Sequence, residues 1–222
     1  MRPDPTTHAA TAGPVRKPKP AIPPRRTFAA RAVALALTLA LTTTSVAVPA
    51  AAAPVAYELQ AATSVVAFET DYGDAGIRIT GRMPIAAADL AIDFARVANS
   101  RVDVTIDATD ATTSNPLATG AMLGPKVLSV DAFPTLRFTS TKVSAKGDGA
   151  EIEGNLTIRD VTRPVILQAM IYRQKGSAEG DLTRLSILLT GAVSRAAYGA
   201  GGFPDMVGDQ VRLKILARIV KP

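Results

Sequence analysis

Most of the chain after Val65 alternates between apolar and polar residues with a period of two, which is typical of β-strands that bury one face. The clearest alternation runs from Arg101 to Thr109. Its apolar positions are Val102, Val104, Ile106 and Ala108. Glycine-containing turns such as Gly73–Gly76 and Gly176–Gly180 separate the alternating segments. The pattern therefore predicts a sheet built largely from consecutive hairpins.

The segment Glu151–Val165 predicts two strands that are joined by a turn at Asp160–Arg163. The apolar face of its first strand carries Ile152, Leu156 and Ile158. Gly154 falls on the same face, where a missing side chain usually marks a bend or the close approach of another group. The second strand, Val165–Tyr172, is apolar on both faces, so both faces are expected to be at least partly covered.

Other strands are predicted by the same alternation at Val65–Tyr72, Ile77–Met83, Leu136–Val143, Leu185–Ser194 and Val211–Val220, with a weaker signal at Asp89–Phe94. Residues 114–134 break the alternation and predict a long, partly helical connection that covers the sheet like a lid. Its helix is expected to start at Ser114 or Asn115, because Pro116 suits the first helical position.

Some eight or more strands within about 170 residues, nearly all joined by short turns, predict an antiparallel all-β domain, either a barrel or a sandwich. A closed eight-stranded barrel is favoured because closure removes exposed sheet edges and leaves room for one small ligand. An interior of Val, Ile, Leu, Phe and Met would offer that ligand an apolar site. The competing interpretation is that these side chains simply fill the core.

The first 52 residues have the composition of an export signal and not of a folded domain. Prolines and basic residues precede an apolar run at residues 32–41, which is shorter than the roughly 20 residues that a membrane-spanning helix needs. Residues 1–52 are therefore predicted to be a signal peptide that is removed, and residues 53–222 to be periplasmic or secreted. Arg25–Phe28 resembles the twin-arginine export signal, with the general secretory route as the alternative.

The charge of the chain lies mainly in that leader. Seven of the 25 Lys and Arg residues but only one of the 19 Asp and Glu residues precede residue 53, so the remainder carries 18 of each and a formal charge of zero. Nothing in this remainder concentrates basic residues in sequence. A nucleic-acid partner is therefore not expected.

Two missing residue types bear on chemistry. The chain has no Cys, and its one His, His8, lies in the leader. The predicted domain thus lacks the commonest general base and the commonest transition-metal ligands, so no enzyme activity, metal site or cofactor is expected. The carboxylate pairs Asp103 and Asp107, and Glu151 and Glu153, lie opposite apolar rows, which favours a solvated surface over a catalytic or calcium site.

Four segments in this order resemble the YceI-like polyisoprenoid-binding family: Phe133–Ser140, Gly154–Val165, Ser194–Gly199 and Val207–Val211. The second of them is similar to the family's Gly-x-Leu-Thr-Ile-x-Gly-x-Thr-x-Pro-Val signature. The resemblance implies an extended, lipocalin-like, eight-stranded antiparallel barrel with a long apolar tunnel. It also implies an exported protein that binds isoprenoid quinones, polyprenyl lipids or other long-chain amphiphiles and that does not catalyse a reaction.

The chain departs from the family pattern at three places. Thr63–Ser64 stands where the family often has His-Ser, Asp71–Tyr72 where a second His is common, and Asp160 where Gly is usual. If either His contacts the ligand head group in relatives, the head-group preference of this chain is open. The inference that an apolar tail is bound rests on the apolar interior and is unaffected.

These considerations predict a set of tunnel-lining residues: Phe68, Ile79, Met83, Phe94, Met122, Phe133, Phe138, Leu156, Ile158, Met170, Tyr172, Leu188 and Tyr198. Arg195 is predicted to lie near the tunnel mouth and to donate hydrogen bonds to an oxygen of the head group. The competing interpretation is structural, with Arg195 paired to Asp205 or Asp209 across the adjacent loop.

The expected function is an exported binding protein that holds a long-chain isoprenoid lipid, a quinone or a similar amphiphile in the barrel for storage or transport. The alternative is an exported, stress-related or structural module with a filled barrel that binds a protein partner on its outer surface. Homodimer formation is left open by the sequence.

Overall fold

The computed structural model describes residues 53–73, 76–173 and 176–222. The predicted signal peptide, its twin-arginine motif and its cleavage site lie outside the described residues.

Eleven strands and one α-helix make up most of the described chain. The strands are β1 Val55–Leu59, β2 Val65–Tyr72, β3 Ile77–Met83, β4 Ile85–Ile92, β5 Arg101–Asp107, β6 Thr112–Thr113, β7 Thr135–Lys146, β8 Gly149–Ile158, β9 Val161–Arg173, β10 Arg184–Ser194 and β11 Val207–Val220. The helix α1 spans Pro116–Leu123, between β6 and β7. None of the helices in this part of the chain has the length and apolar composition of a membrane span.

The strands form one closed sheet. A 3-10 turn at Ala61–Thr63 separates β1 from β2, and Pro84 separates β3 from β4, so each pair acts as one interrupted strand. β11 closes the sheet because it pairs along one edge with β10 and along the other with β2 and then β1. The result is an eight-stranded antiparallel barrel, which confirms the fold predicted from the sequence.

Two buried hydroxyl groups satisfy the backbone where the strands are irregular. The Ser64 hydroxyl, at the break between β1 and β2, donates to the Gln60 carbonyl and accepts from the Arg218 N–H, each at 2.9 Å. The register between β2 and β11 shifts by a bulge at Val207–Val211. The Thr70 hydroxyl lies 3.0 and 3.1 Å from the carbonyl oxygens of Gly208 and Gln210 in this bulge and donates to them.

Glycines on the inner face of the barrel make room for aromatic rings. The ring of Phe68 lies over Gly81, which is directly opposite it on β3, and the ring of Phe138 lies over Gly154 of β8. A Cβ atom at either glycine would overlap the ring atoms. The close approach predicted at Gly154 is therefore confirmed, and its cause is a neighbouring phenylalanine.

The connection over residues 114–134 is partly helical, as predicted. Asn115 is the N-cap of α1, and its side-chain oxygen accepts a hydrogen bond from the Leu117 N–H at 2.9 Å. Pro116 occupies the first helical position. No residue of α1 itself is buried, whereas Leu128, which follows it, packs into the core. The helix itself contacts the core through Met122 and Leu123, which are partly buried.

The structure corrects one feature of the predicted β8–β9 hairpin. Its turn is shorter than expected, because β8 ends at Ile158 and β9 begins at Val161, with Arg159 in the left-handed backbone region at φ 58°. The expectation that both faces of β9 are at least partly covered agrees with the structure. On its outer face, Ile166, Met170 and Tyr172 are about half exposed.

Candidate ligand-binding cavity

The interior of the barrel is a cavity of about 700 Å³. Every strand of the barrel contributes inward-facing side chains to it, and almost all of them are hydrocarbon. Volumes of this size are ordinary for small-molecule sites, whereas a fully packed core leaves few voids larger than a water molecule. The interpretation that the apolar side chains simply fill the barrel therefore does not fit the geometry.

Eight of the predicted tunnel residues line this cavity: Phe68, Ile79, Met83, Phe94, Met122, Phe138, Leu156 and Ile158. The first three come from the β2–β3 hairpin, and the last three from β7 and β8. Met122 reaches the cavity from α1, together with Leu117, Ala118 and Ala121. The connection over residues 114–134 thus forms part of the cavity wall.

Three other predicted residues lie on the outer face of the barrel and not in the lining. Met170 and Leu188 are directly opposite each other on β9 and β10, and Tyr172 lies two residues further along β9. Their neighbours Ala169, Ile171, Ile187 and Leu189 line the cavity instead. The placement of Met170, Tyr172 and Leu188 was wrong because side chains alternate between faces, and a shift of one residue exchanges inside for outside.

Phe133 and Tyr198 also lie outside the cavity lining. The Phe133 ring stacks against the guanidinium of Arg159, with 5.7 Å between the guanidinium carbon and the ring centroid. Tyr198 is almost fully buried in the short helical turn after β10, and this burial raises the pKa of its hydroxyl. Both aromatic residues stabilise the loops at the end of the barrel.

Arg195 borders the cavity but has its donors committed to the backbone. Its guanidinium donates to the carbonyl oxygens of Gly208 at 2.9 Å, of Ala200 at 3.0 Å and of Val207 at 2.6 Å. A further hydrogen bond goes to the carbonyl of Gly202. Burial lowers the pKa of Arg195, and the charge of Asp209 opposes this effect.

These contacts support the structural interpretation of Arg195, although its partners differ from those expected. The carboxylate of Asp209 accepts from the backbone N–H of Ala196 at 2.8 Å instead of pairing closely with the guanidinium. Two of the four carbonyl oxygens around Arg195, those of Ala200 and Gly202, belong to the loop between β10 and β11, and the other two belong to the first residues of β11. Arg195 therefore fixes the shape of that loop, and a role in binding a head group stays a prediction.

The other polar side chains of the lining also have partners in the protein. The Ser100 hydroxyl accepts from the Asp93 N–H at 3.0 Å, and Thr113 and Thr119 are hydrogen-bonded to each other at 3.0 Å. Arg78 forms ion pairs with Glu69 at 3.3 Å and Asp71 at 3.7 Å. The lining thus presents hydrocarbon with few free polar groups, which suits a ligand that requires no directional bonds.

The cavity has an open end near the β2–β3 hairpin. Tyr72, Ile77, Leu117 and Met206 line the cavity and are also markedly exposed to solvent there. The opposite end is packed by a second apolar cluster in which Leu185 and Ile219 are only 1% exposed. In this cluster Tyr57 packs edge to face on Phe94 with the ring centroids 5.8 Å apart.

The sequence prediction missed two groups of lining residues. The first comprises aliphatic residues of strands that alternate clearly between apolar and polar positions, namely Val102, Val104, Ile106, Leu213 and Ile215. The alternation of apolar and polar residues with a period of two is enough to place these side chains on the inner face. The predicted lining, however, included mainly aromatic and Met residues and only a few aliphatic ones. The second group, Phe203 and Met206, lies in the β10–β11 loop, where no periodic pattern exists.

The carboxylate pairs considered in the sequence lie on the outer surface. Asp103 pairs with Arg137 at 2.7 Å, and this hydrogen bond holds the pKa of the Asp103 carboxyl below its usual value. Glu151 and Glu153 pair with Lys146 and Lys142, each at 2.6 Å. Within residues 53–73, 76–173 and 176–222, no group of three or more His, Cys, Asp or Glu side chains is arranged to hold a metal ion.

Solved structures with a similar fold include BcnA of Burkholderia cenocepacia, at a TM-score of 0.61 and 16% identity over 72% of this chain and 99% of that one. A polyisoprenoid binding domain from Saccharophagus degradans, implicated in plant cell wall breakdown, has a TM-score of 0.55 and 15% identity over 76% of this chain and 99% of that one. At these identities the likeness concerns the fold alone.

Sequence comparisons identify the family. The protein YceI of Salmonella arizonae is 38% identical over 74 residues, which is 33% of this chain and 39% of that relative. The match thus spans well under half of the relative's length. The sequence profile of the YceI-like domain, in contrast, matches residues 57–219, which include nearly the whole barrel. The chain therefore belongs to the YceI-like family.

Proposed function

We propose that this protein is a binding protein for a long-chain isoprenoid lipid, a quinone or a similar amphiphile, whose tail occupies the barrel. The observation that carries the proposal is the apolar cavity of about 700 Å³, which is open at one end and packed at the other. A cavity of this shape admits the hydrocarbon tail of a ligand from the open end and keeps the tail out of water.

The hydrophobic effect supplies the driving force. Each CH2 group removed from water contributes about 0.8 kcal/mol, so one five-carbon isoprene unit contributes on the order of 4 kcal/mol. A polyprenyl tail is consequently almost insoluble in water and requires an apolar container to cross it. Because the lining offers few free polar groups, the length and shape of the tail would decide which ligands are accepted.

The similar proteins add support from outside the chain. The related structure from Saccharophagus degradans is described as a polyisoprenoid binding domain, and its fold covers 76% of this chain. The similarity to that neighbour thus supports the proposed class of ligand, whereas the cavity in this chain's own structure supports the proposal that a ligand is bound. Binding is proposed in place of catalysis because residues 53–222 contain neither His nor Cys.

Export is part of the proposal. Residues 1–52 have the composition of a signal peptide, and residues 53–222 would then act in the periplasm or outside the cell. Storage or transport of an insoluble lipid is useful in such a compartment, because a water-filled space separates the membranes or surfaces that exchange it.

Two adjacent residues of β10 provide a matched test. Leu189 faces the cavity and Leu188 faces outward, so Leu189→Trp fills the cavity whereas Leu188→Trp adds the same volume outside. Both purified proteins are incubated with a ubiquinone that has a long isoprenoid tail, and the retained quinone is measured after gel filtration. Leu189→Trp is expected to retain little quinone, because the indole would occupy space that the tail needs.

The Leu188→Trp control is expected to retain quinone as the unsubstituted protein does. Equal retention by the two folded variants would contradict the proposal that the barrel interior holds the tail. Circular dichroism of both variants separates a blocked cavity from an unfolded protein.

One observation favours the alternative of a protein-binding module. An apolar row crosses the outer face of four strands, since Met170, Leu188, Leu216 and Val65 are successive partners across β9, β10, β11 and β2. Such a surface could bind a protein partner or a second copy of the chain. A barrel that stays empty in the presence of lipid, together with a stable partner on this surface, would support the alternative.

A further inference from the structure

The open end of the cavity carries exposed apolar side chains that soluble proteins usually bury. Leu117 is 85% exposed, Ile77 56%, Met206 48% and Tyr72 39%, and all four also line the cavity. We call these four residues the apolar rim. A fifth exposed apolar residue of the lining, Ile171, lies towards the opposite end of the barrel and does not belong to the rim.

The fold holds the apolar rim together. Tyr72 and Ile77 are directly paired at the tip of the β2–β3 hairpin. Met206 is attached to the same tip, because its carbonyl accepts a hydrogen bond from the Gly73 N–H at 2.8 Å. The Ser114 N–H donates to the Thr80 carbonyl at 2.8 Å, which brings the start of α1, and with it Leu117, beside β3.

Two cationic side chains near the rim have partners within the protein. Arg78 borders the cavity, and its guanidinium pairs with Glu69 and Asp71. Lys126 stacks over the ring of Phe203, with its ammonium nitrogen 5.4 Å from the ring centroid. Neither of these two cations is thus left without a partner that it could exchange for an anionic surface.

From these observations we propose that the apolar rim inserts into the surface of a lipid bilayer and so covers the mouth of the cavity. This inference rests on the proposed function and names the partner that delivers or receives the ligand. The side chains that would enter the bilayer also line the cavity, so the two apolar surfaces are continuous. A tail that moves between bilayer and barrel would then meet hydrocarbon along its whole path.

A bilayer explains the rim better than a protein partner does. A protein docked on the rim would close this open end of the cavity, whereas a bilayer closes it against water and leaves it open to lipid. Because insertion depends on apolar burial and not on charge, binding to zwitterionic phosphatidylcholine vesicles is expected, and it should change little with salt concentration.

Flotation with phosphatidylcholine vesicles tests the proposal with a closely matched pair of variants. Ile77 and Ile166 are the same residue type at similar exposure, 56% and 53%, but Ile77 belongs to the rim and Ile166 to the outer wall of β9. Ile77→Asp is expected to weaken vesicle binding about tenfold, because a charge replaces a side chain that would be buried. Ile166→Asp is expected to bind as the unsubstituted protein does, and Leu117→Asp to behave as Ile77→Asp.

Several outcomes would overturn the docking proposal: no flotation of the unsubstituted protein, equal loss in Ile77→Asp and Ile166→Asp, or binding only to anionic vesicles with steep salt dependence. Native mass spectrometry of the same preparations tests the proposed function separately. An empty protein that still floats would contradict lipid carriage and support docking. A loaded protein that does not float would contradict docking and leave lipid carriage intact.

Discussion

At the scale of single residues, Arg195 shows how a buried charge is stabilised without a close carboxylate. Only 8% of the residue is exposed, and its guanidinium is surrounded by carbonyl oxygens of the β10–β11 loop and of the start of β11. Burying a charge is costly unless hydrogen bonds compensate for the lost water. The arginine and the loop thus stabilise each other, and that loop carries Phe203 and Met206 to the cavity.

Arg195→Gln is therefore expected to lower stability. Several buried carbonyl groups would lose their donor, which costs about 1–3 kcal/mol, and each kcal/mol corresponds to about 2–4 °C in Tm for a domain of this size. Thermal unfolding followed by circular dichroism measures the change. Arg163→Gln is the control, because Arg163 is exposed and donates one hydrogen bond to the neighbouring Ala197 carbonyl.

The control should shift Tm by no more than about 1–2 °C, since exposed substitutions usually change stability by less than 0.5 kcal/mol. If Arg195→Gln instead left Tm unchanged and weakened the retention of an anionic prenyl lipid, the role assigned here to Arg195 would have to be replaced by head-group binding.

At the scale of elements, glycines on the inner face decide how closely neighbouring strands and rings can pack. Gly154 of β8 lies beneath the Phe138 ring of β7, so an added Cβ would overlap the ring and would also lie 2.7 Å from the Thr139 carbonyl oxygen. Gly120 of α1 is the opposite case, because nothing lies within 4 Å of where its Cβ would be.

Gly154→Ala and Gly120→Ala should consequently have opposite effects. The first is expected to lower the free energy of unfolding by about 1–3 kcal/mol through overpacking. The second should stabilise α1 by up to about 1 kcal/mol, because alanine favours helix more than glycine does. Urea unfolding measures the first change, and hydrogen exchange of α1 amides measures the second. Equal stability of Gly154→Ala and the unsubstituted protein would contradict the packing described for β7 and β8.

The sequence was most informative where one face of a strand is buried and the other is charged. β2 and β3 alternate in this way, and the residues predicted from them, Phe68, Ile79 and Met83, line the cavity. β9 and β10 are apolar on both faces near Met170 and Leu188, so the period alone could not distinguish inside from outside. The rim was not predicted, because Met206 lies in a loop and Leu117 in a helix whose faces become defined only by packing against the barrel.

At the scale of the whole molecule, the described residues combine a closed barrel, one open end and a surface without excess charge. Closure removes the unpaired strand edges that would otherwise promote aggregation. An apolar cluster packs one end of the barrel, and the apolar rim surrounds the open end. The ligand is therefore expected to enter and leave through the mouth near Ile77 and Leu117. The zero formal charge of residues 53–222 fits a carrier that depends on apolar contacts.

Native mass spectrometry of the protein purified from its own host tests whether the barrel carries a lipid. A bound species with the mass of a long-chain isoprenoid lipid, quinone or related amphiphile is expected, and it should be released when the protein is denatured. Leu189→Trp purified in the same way is expected to carry little of this species and Leu188→Trp to carry it fully. An unsubstituted protein that is always empty, or that carries only small polar molecules, would contradict the account.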